Sequence, residues 1–133
     1  MNPQKFVKAY QYIHKIFDKA GATNVNWVWS LLYKSYPDTS NNDYIKAYPG
    51  NKYVDWICIT AYNPDTEWKE FDELISDVYT RLLKNIADKP IMIKVDCAEN
   101  NKKDKASWII NMWKVLKEKY LAVKSIIWVN KNN

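Results

Sequence analysis

The sequence predicts an α/β fold of four parallel strands alternating with helices, the content of half a (β/α)8 barrel. Segments with apolar residues at every third or fourth position alternate with short runs of β-branched and aromatic residues. The predicted strands begin near residues 24, 54, 90 and 124, and this spacing of roughly 30 to 36 residues matches one unit of a barrel of about 250 residues. The competing fold, a small doubly wound sheet, needs a glycine-rich phosphate-binding turn, and the chain has only two glycines.

The predicted helices cover residues 3–20, 67–86 and 103–120. The first begins at Pro3, because the fixed φ of proline suits the first position of a helix, and it ends before Gly21, a typical residue after a helix. The other two carry apolar residues at the same spacing, from Phe71 to Leu83 and from Ala106 to Leu116.

The predicted strands cover residues 24–30, 54–62, 90–96 and 124–129. The second is almost continuously apolar, which is typical of a parallel strand covered on both faces. Residues 31–52 are polar and contain Pro37 and Pro49, so we expect a long loop with one helical turn near residues 43–48. Residues 1–133 then form a single partial barrel domain.

Composition excludes several classes of protein. Hydrophobic residues make up 47% of the chain and aromatic residues 15%, which is far too much for a disordered chain, while no apolar run approaches the roughly 20 residues of a membrane span. The net charge of +5 comes from dispersed lysines, with Arg81 as the only arginine. Because nucleic-acid sites favour arginine and cluster their cations, we expect no nucleic-acid partner.

Few residues could hold a metal or carry other chemistry. His14 is the only histidine and belongs to no cluster of metal ligands, and Ser30 lacks the glycines of a nucleophile elbow. Cys58 and Cys97 are too few for a disulfide scaffold; they are buried small hydrophobes or form a single bridge. We therefore expect no cofactor. The N-terminus has no apolar signal segment, so the protein is cytoplasmic or its signal lay outside this chain.

The candidate site lies at the carboxyl ends of the strands, where barrels place their active sites. The residues there combine aromatic rings, which stack on sugar rings, with amides, which bind hydroxyl groups. The alternative is that the aromatic rings only fill the barrel interior. The predicted carbohydrate-binding residues are Trp29, Tyr62, Asn63 and Trp128.

Carboxylates decide whether such a site can cleave a glycoside. Retaining hydrolysis needs two of them, about 5 to 5.5 Å apart. Asp96 and Glu99 follow the third strand, but both come from one loop, so they are a weak catalytic pair and are better interpreted as solvated acids. Asp55 begins the second strand and lies at the opposite end of the barrel.

Several blocks together resemble the C-terminal half of glycoside hydrolase family 26, a family of β-mannanases and related β-glucanases and xylanases. They occur in consistent order along nearly the whole chain, and the block Tyr-Pro-Gly followed by Tyr-Val-Asp-Trp is fairly specific. The blocks are Gly21–Ser30, Tyr48–Gly50, Tyr53–Ile57, Tyr62–Asn63, Trp68, Phe71, Lys89–Ile93 and Ile127–Asn130. The resemblance implies barrel units five to eight of a retaining enzyme that acts on β-glycans, usually outside the cell.

The resemblance also assigns residues. Tyr62 matches a family tyrosine that contacts the nucleophile and the sugar, and Trp128 matches a stacking tryptophan; Trp29 and Asn63 fit the same surface. The family's nucleophile segment, Lys-Pro-Ile-Met-Ile-Ala-Glu-Phe-Gly, places Val95 at the nucleophile position, with Asp96 one position along. The family's acid/base glutamate lies before the segment that this chain matches.

By resemblance, then, the chain is a fragment of a retaining endo-β-glycanase for mannan or β-glucan, inactive on its own. Two alternatives remain: a non-catalytic carbohydrate-binding or assembly module, and one half of a split glycanase. The expected partner is a β-linked polysaccharide or oligosaccharide. Because half a barrel has unpaired strand edges, we also expect a homodimer or a complementing N-terminal half barrel.

Overall fold

A computed structural model describes residues 2–37, 39–86, 88–98 and 104–129. Strands and helices alternate along the chain, as the sequence predicts. In order, the elements are α1 (Pro3–Lys19), β1 (Val28–Leu32), β2 (Trp56–Asn63), α2 (Phe71–Asn85), β3 (Ile91–Cys97), α3 (Lys105–Lys119) and β4 (Val123–Trp128). The predicted loop between β1 and β2 contains three short 3-10 turns, at Ser40–Asn42, Tyr44–Ala47 and Asn51–Tyr53.

The four strands form one parallel sheet in the order β1-β2-β3-β4. This arrangement of four parallel strands and three helices confirms the predicted class and is consistent with half of an α/β barrel. A register shift at the start of β3 and β4 pairs Ile91 with Val123 but Met92 with Ser125. Within the described residues, β1 and β4 each pair on one side only.

Most element boundaries lie within two residues of the prediction, and two differ from it by four residues. The first strand begins at Val28 rather than near residue 24, because Trp27 is held from the side: its N–H donates to the Asp55 carboxylate at 2.7 Å, and its carbonyl accepts from the Asp55 N–H at 2.8 Å. Helix α2 begins at Phe71 rather than near residue 67. There, Glu70 and Glu73 form a capping box that fixes the start of the helix.

Each of the other helices also has a local start signal. The Asn2 side chain accepts hydrogen bonds from the Gln4 and Lys5 N–H groups at the start of α1, and Asp104 caps α3 through the Ala106 N–H. After α1 the chain turns at Gly21, where φ is +71°, a conformation that glycine adopts without a steric penalty.

The sheet has one face covered by helices and one open face. On β3 the covered side carries residues that are at most 1% exposed, because successive side chains of a strand alternate between faces. The covered face consists of Trp29, Leu31, Ile57, Ile59, Ala61, Asn63, Ile91, Ile93, Val95, Cys97, Ile126 and Trp128.

We call the other side of the sheet the inner face, because it corresponds to the interior of a closed barrel. The Ser30 and Thr60 hydroxyl groups meet there at 3.4 Å. The inner face consists of Val28, Ser30, Leu32, Trp56, Cys58, Thr60, Tyr62, Met92, Lys94, Asp96, Ser125 and Ile127. No helix in the described ranges is both long and apolar enough to cross a membrane.

Candidate functional site

The candidate site is at the carboxyl ends of β2 and β3. Tyr62 pairs with Asp96 across the two strands, and Asn63 pairs with Cys97 one residue further on. Since paired residues of neighbouring parallel strands share a face, Tyr62 and Asp96 lie side by side on the inner face, whereas Asn63 and Cys97 lie on the covered face.

Tyr62 and Asp96 differ in their exposure to solvent. Tyr62 is 45% exposed, while Asp96 is 9% exposed. The Asp96 carboxylate accepts a hydrogen bond of 2.8 Å from the Cys97 N–H, which uses one of its acceptor positions. An accessible aromatic ring thus stands next to a largely buried carboxylate. Glu99 and Asn130, which the sequence also places near this edge, lie outside the described residues.

Asn63 has a different environment from the one expected of a sugar ligand. Its side chain is fully buried and fastens the loop that follows β2: Oδ1 accepts from the Lys69 N–H, and Nδ2 donates to the Lys69 carbonyl, both at 2.9 Å. The indole Nε1 of Trp108 donates to the same carbonyl at 2.8 Å. Asn63 Nδ2 also lies 3.7 Å from Cys97 Sγ, so this side chain contacts the backbone of Lys69 and its neighbour on β3 rather than the open face.

The two tryptophans also lie on the covered face. Trp29 is 2% exposed, and its ring packs edge-on against Tyr48 with centroids 5.0 Å apart. Trp128 lies 6.4 Å from the Trp108 ring, with the Lys105 ammonium 5.7 Å from its centroid. Of the four predicted carbohydrate-binding residues, only Tyr62 reaches the inner face.

Val95 lies beneath the helices and is 0% exposed. It belongs to the same buried row of β3 as Ile91 and Ile93. A side chain at this position points away from Tyr62, so the neighbour of Tyr62 is Asp96 and not the residue at position 95.

Two polar side chains near Tyr62, Thr60 and Lys94, are not among the strand-end residues that the sequence predicts for the site. They pair with each other on the inner face, and Leu32 is the neighbour of Thr60 on β1. Their signal in the sequence is the period of two counted back from Asp96 and Tyr62. Among the described residues, no group of three potential metal ligands comes together.

A cleft of about 350 Å³ lies beside the end of β1 and was also not anticipated. Phe6, Tyr36 and Tyr44 contribute aromatic rings to its lining, and Ser30 and Asn42 contribute polar groups. Tyr44 is held by the Arg81 guanidinium, which lies 4.6 Å from its ring centroid and donates to Asp43 at 3.0 Å. Burial raises the pKa of the Tyr44 hydroxyl.

A parallel sheet with helices on one face and with polar and aromatic groups at the carboxyl ends of its strands defines part of an α/β barrel of the kind that carries enzyme active sites. The model of the family described as "Glycosyl hydrolase family 26" matches residues 1–129. The chain belongs to glycosyl hydrolase family 26.

Endoglucanase H of Acetivibrio thermocellus is a curated relative of this chain. The two are 30% identical over 135 residues, a match that covers 97% of this chain and 15% of Endoglucanase H. The chain thus spans about 15% of the length of that relative.

Proposed function

We propose that this chain provides a β-glycan-binding surface of a family 26 barrel, centred on Tyr62 and Asp96, and that it does not cleave glycans by itself. The observation that carries this proposal is the pairing of Tyr62 with Asp96 on the inner face at the carboxyl end of the sheet. There, the exposed tyrosine ring can stack on a sugar, and the carboxylate can accept hydrogen bonds from sugar hydroxyls.

Within this proposal Asp96 is the carboxylate that faces the glycan. In the family resemblance, Val95 aligns with the nucleophile, yet the Val95 side chain is buried under the helices. If β3 contributes a nucleophile, the period of two assigns that role to Asp96, whose side chain is one methylene shorter than that of glutamate.

The proposed inactivity follows from the number of carboxylates. Retaining hydrolysis requires a nucleophile and an acid/base on opposite sides of the scissile bond. Among the described strand residues, Asp96 is the only acidic residue on the inner face. A second carboxylate would have to come from outside this surface, which also supports the role of one half of a split glycanase.

The name of the relative, Endoglucanase H, makes a β-glucan the first substrate to test and mannan the second. We expect the migration of the chain to be retarded in native gels that contain mixed-linkage β-glucan. Tyr62→Ala should abolish the retardation, because it removes the exposed ring. Tyr12→Ala is the matched control, because Tyr12 is 67% exposed and belongs to α1 rather than to the strands that form the inner face.

Two results would contradict the proposal. Equal migration of the wild-type chain in gels with and without β-glucan or mannan would exclude the binding surface. Release of reducing sugar by the wild-type chain, lost in Asp96→Asn, would show that it is active on its own.

A further inference from the structure

We propose that two copies of this chain close into one eight-stranded ring, in which α1 of each copy packs against α3 and β4 of the other. This inference goes beyond the proposed glycan surface and does not depend on it. It rests on the surface area of the chain, on two apolar flanks at opposite edges of the sheet, and on the topology that joins them.

The chain exposes more surface than a compact monomer of its mass. Its accessible surface is 8835 Å², whereas a folded monomer of 15.8 kDa typically exposes about 7,300 Å². The excess of about 1,500 Å² is roughly twice the 800 Å² that each partner buries in a standard interface. The area available is therefore sufficient for a stable dimer.

The first flank is on α1, at the edge formed by β1. One side of this helix is already used: Gln11 donates to the Pro49 carbonyl at 2.8 Å, and the His14 ring lies 5.2 Å from that of Tyr53. On the side of the helix away from Gln11, Ile13 and Ile16 are 47% and 46% exposed. Two large apolar side chains three residues apart form a stripe that another element can cover.

The second flank is on α3 and β4, at the opposite edge. Asn111 faces α2, because its side chain donates to Glu70. Trp113 lies on the other side of the helix and is 48% exposed. Together with Leu121 and Ile126 it lines a cleft of about 340 Å³ between α3 and β4. This cleft has the position of the helix that would cover the next strand pair in a closed barrel.

The topology brings these two flanks together in a dimer. Helix α1 precedes β1, and its Phe6 and Tyr10 pack against the same buried core as α2 and α3, so it lies on the covered side of the sheet. If β4 of one copy is extended by β1 of the next in parallel, α1 of the second copy falls beside α3 of the first. A two-fold axis along the barrel then forms both junctions at once and leaves no strand edge unpaired.

Closure would also cover the inner face. Val28, Leu32 and Ile127 are between 38% and 56% exposed there, and the interior of an eight-stranded barrel is filled by such side chains. Tyr62 and Asp96 lie at the carboxyl ends of the strands, at the mouth of the ring, where the proposed glycan surface stays accessible. Each copy contributes one lysine, Lys94, and one aspartate, Asp96, to this face, so the charges on it sum to zero. Eight of the thirteen exposed large hydrophobic residues in the described chain lie on the two flanks and this face.

The test is sedimentation velocity of the full chain at micromolar concentration and physiological ionic strength, where repulsion between two chains of net charge +5 is screened. We expect the mass of two chains. Ile16→Glu and Trp113→Lys should each reduce it to the mass of one chain, since each change affects both junctions of the dimer. Leu83→Lys on α2, where the leucine is 51% exposed, is the matched control and should remain dimeric.

Mixing the two variants separates a lost interface from a lost fold. In a mixed dimer, one junction has the wild-type residues on both sides. The other junction brings the glutamate at position 16 of one copy beside the lysine at position 113 of the other, so the mixture should recover the mass of two chains. A monomeric wild type would overturn the proposal. Variants that stay dimeric, or a mixture that stays monomeric, would also overturn it.

Discussion

Replacement of Asn63 by alanine tests whether this residue holds the loop after β2 or binds a ligand. The Asn63 side chain is fully buried and makes two hydrogen bonds of 2.9 Å to the backbone of Lys69. Alanine removes both and leaves the Lys69 N–H without its acceptor, while the Lys69 carbonyl keeps the hydrogen bond from Trp108.

The expected cost follows from those contacts. Two hydrogen bonds contribute about 1 kcal/mol each, and an unsatisfied amide in a part-buried loop adds about the same again, so we expect a loss of about 2–3 kcal/mol in the free energy of unfolding. For a domain of this size that loss lowers the Tm by about 10 °C. In urea it moves the midpoint down by about 1–2 M at an unchanged slope.

The assay is urea unfolding followed by tryptophan fluorescence, with glycan retardation measured on the folded variant. Asn85→Ala is the control, because Asn85 is exposed and, within the described residues, its side chain donates only to the Arg81 carbonyl. The free energy of unfolding of this variant should differ from that of the wild type by less than about 0.5 kcal/mol. If Asn63→Ala kept wild-type stability but lost glycan retardation, Asn63 would be a sugar ligand and our structural interpretation would be wrong.

Three further predictions concern stability. Hydrogen bonds from Lys119 and Tyr120 hold the pKa of Asp72 below its ordinary value. The ionised carboxylate therefore stabilises the fold above its unfolded-state pKa, and this stabilisation is lost as the pH falls through the folded-state pKa. In urea titrations, the free energy of unfolding should fall less steeply with decreasing pH for Asp72→Asn than for the wild type. Burial raises the pKa of Tyr10 to about 12, and within the described chain its buried hydroxyl has no hydrogen-bond partner, so calorimetry should show Tyr10→Phe to be at least as stable as the wild type; a loss above about 1 kcal/mol would contradict this. Gly21 has a φ of +71°, so Gly21→Ala should cost about 1–2 kcal/mol and Gly21→Asn less, and equal stabilities of the two variants in urea would refute the backbone explanation.

Much of the fold could be predicted from local patterns. The apolar spacing from Phe71 to Leu82 indicates a helix, and the continuous apolar run around Ile59 indicates a buried parallel strand. Boundaries were predicted less well, because they depend on distant groups. The start of β1 is displaced to Val28 by the Asp55 carboxylate, which lies 28 residues from the Trp27 amide that it binds.

The sequence predicts where in the fold the candidate site lies, but not which side chains form it. That it lies at the carboxyl ends of the strands follows from the predicted order of the elements. Which end-of-strand side chains share a face does not follow, because a shift of one residue moves a side chain to the other face of a sheet. Trp29, Asn63 and Trp128 were therefore grouped with Tyr62, although the structure separates them from it.

The sequence by itself determined the class of this protein: a parallel α/β chain with strands spaced as in a barrel and the residue blocks of a glycoside hydrolase family. Periodicity and turn residues act over a few positions, so they can be read without the fold. Only the tertiary structure decided that Tyr62 faces Asp96, that Val95 is buried and that Asn63 fastens a loop. Those outcomes depend on strand register and on contacts between residues far apart in the chain, and no local pattern specifies them.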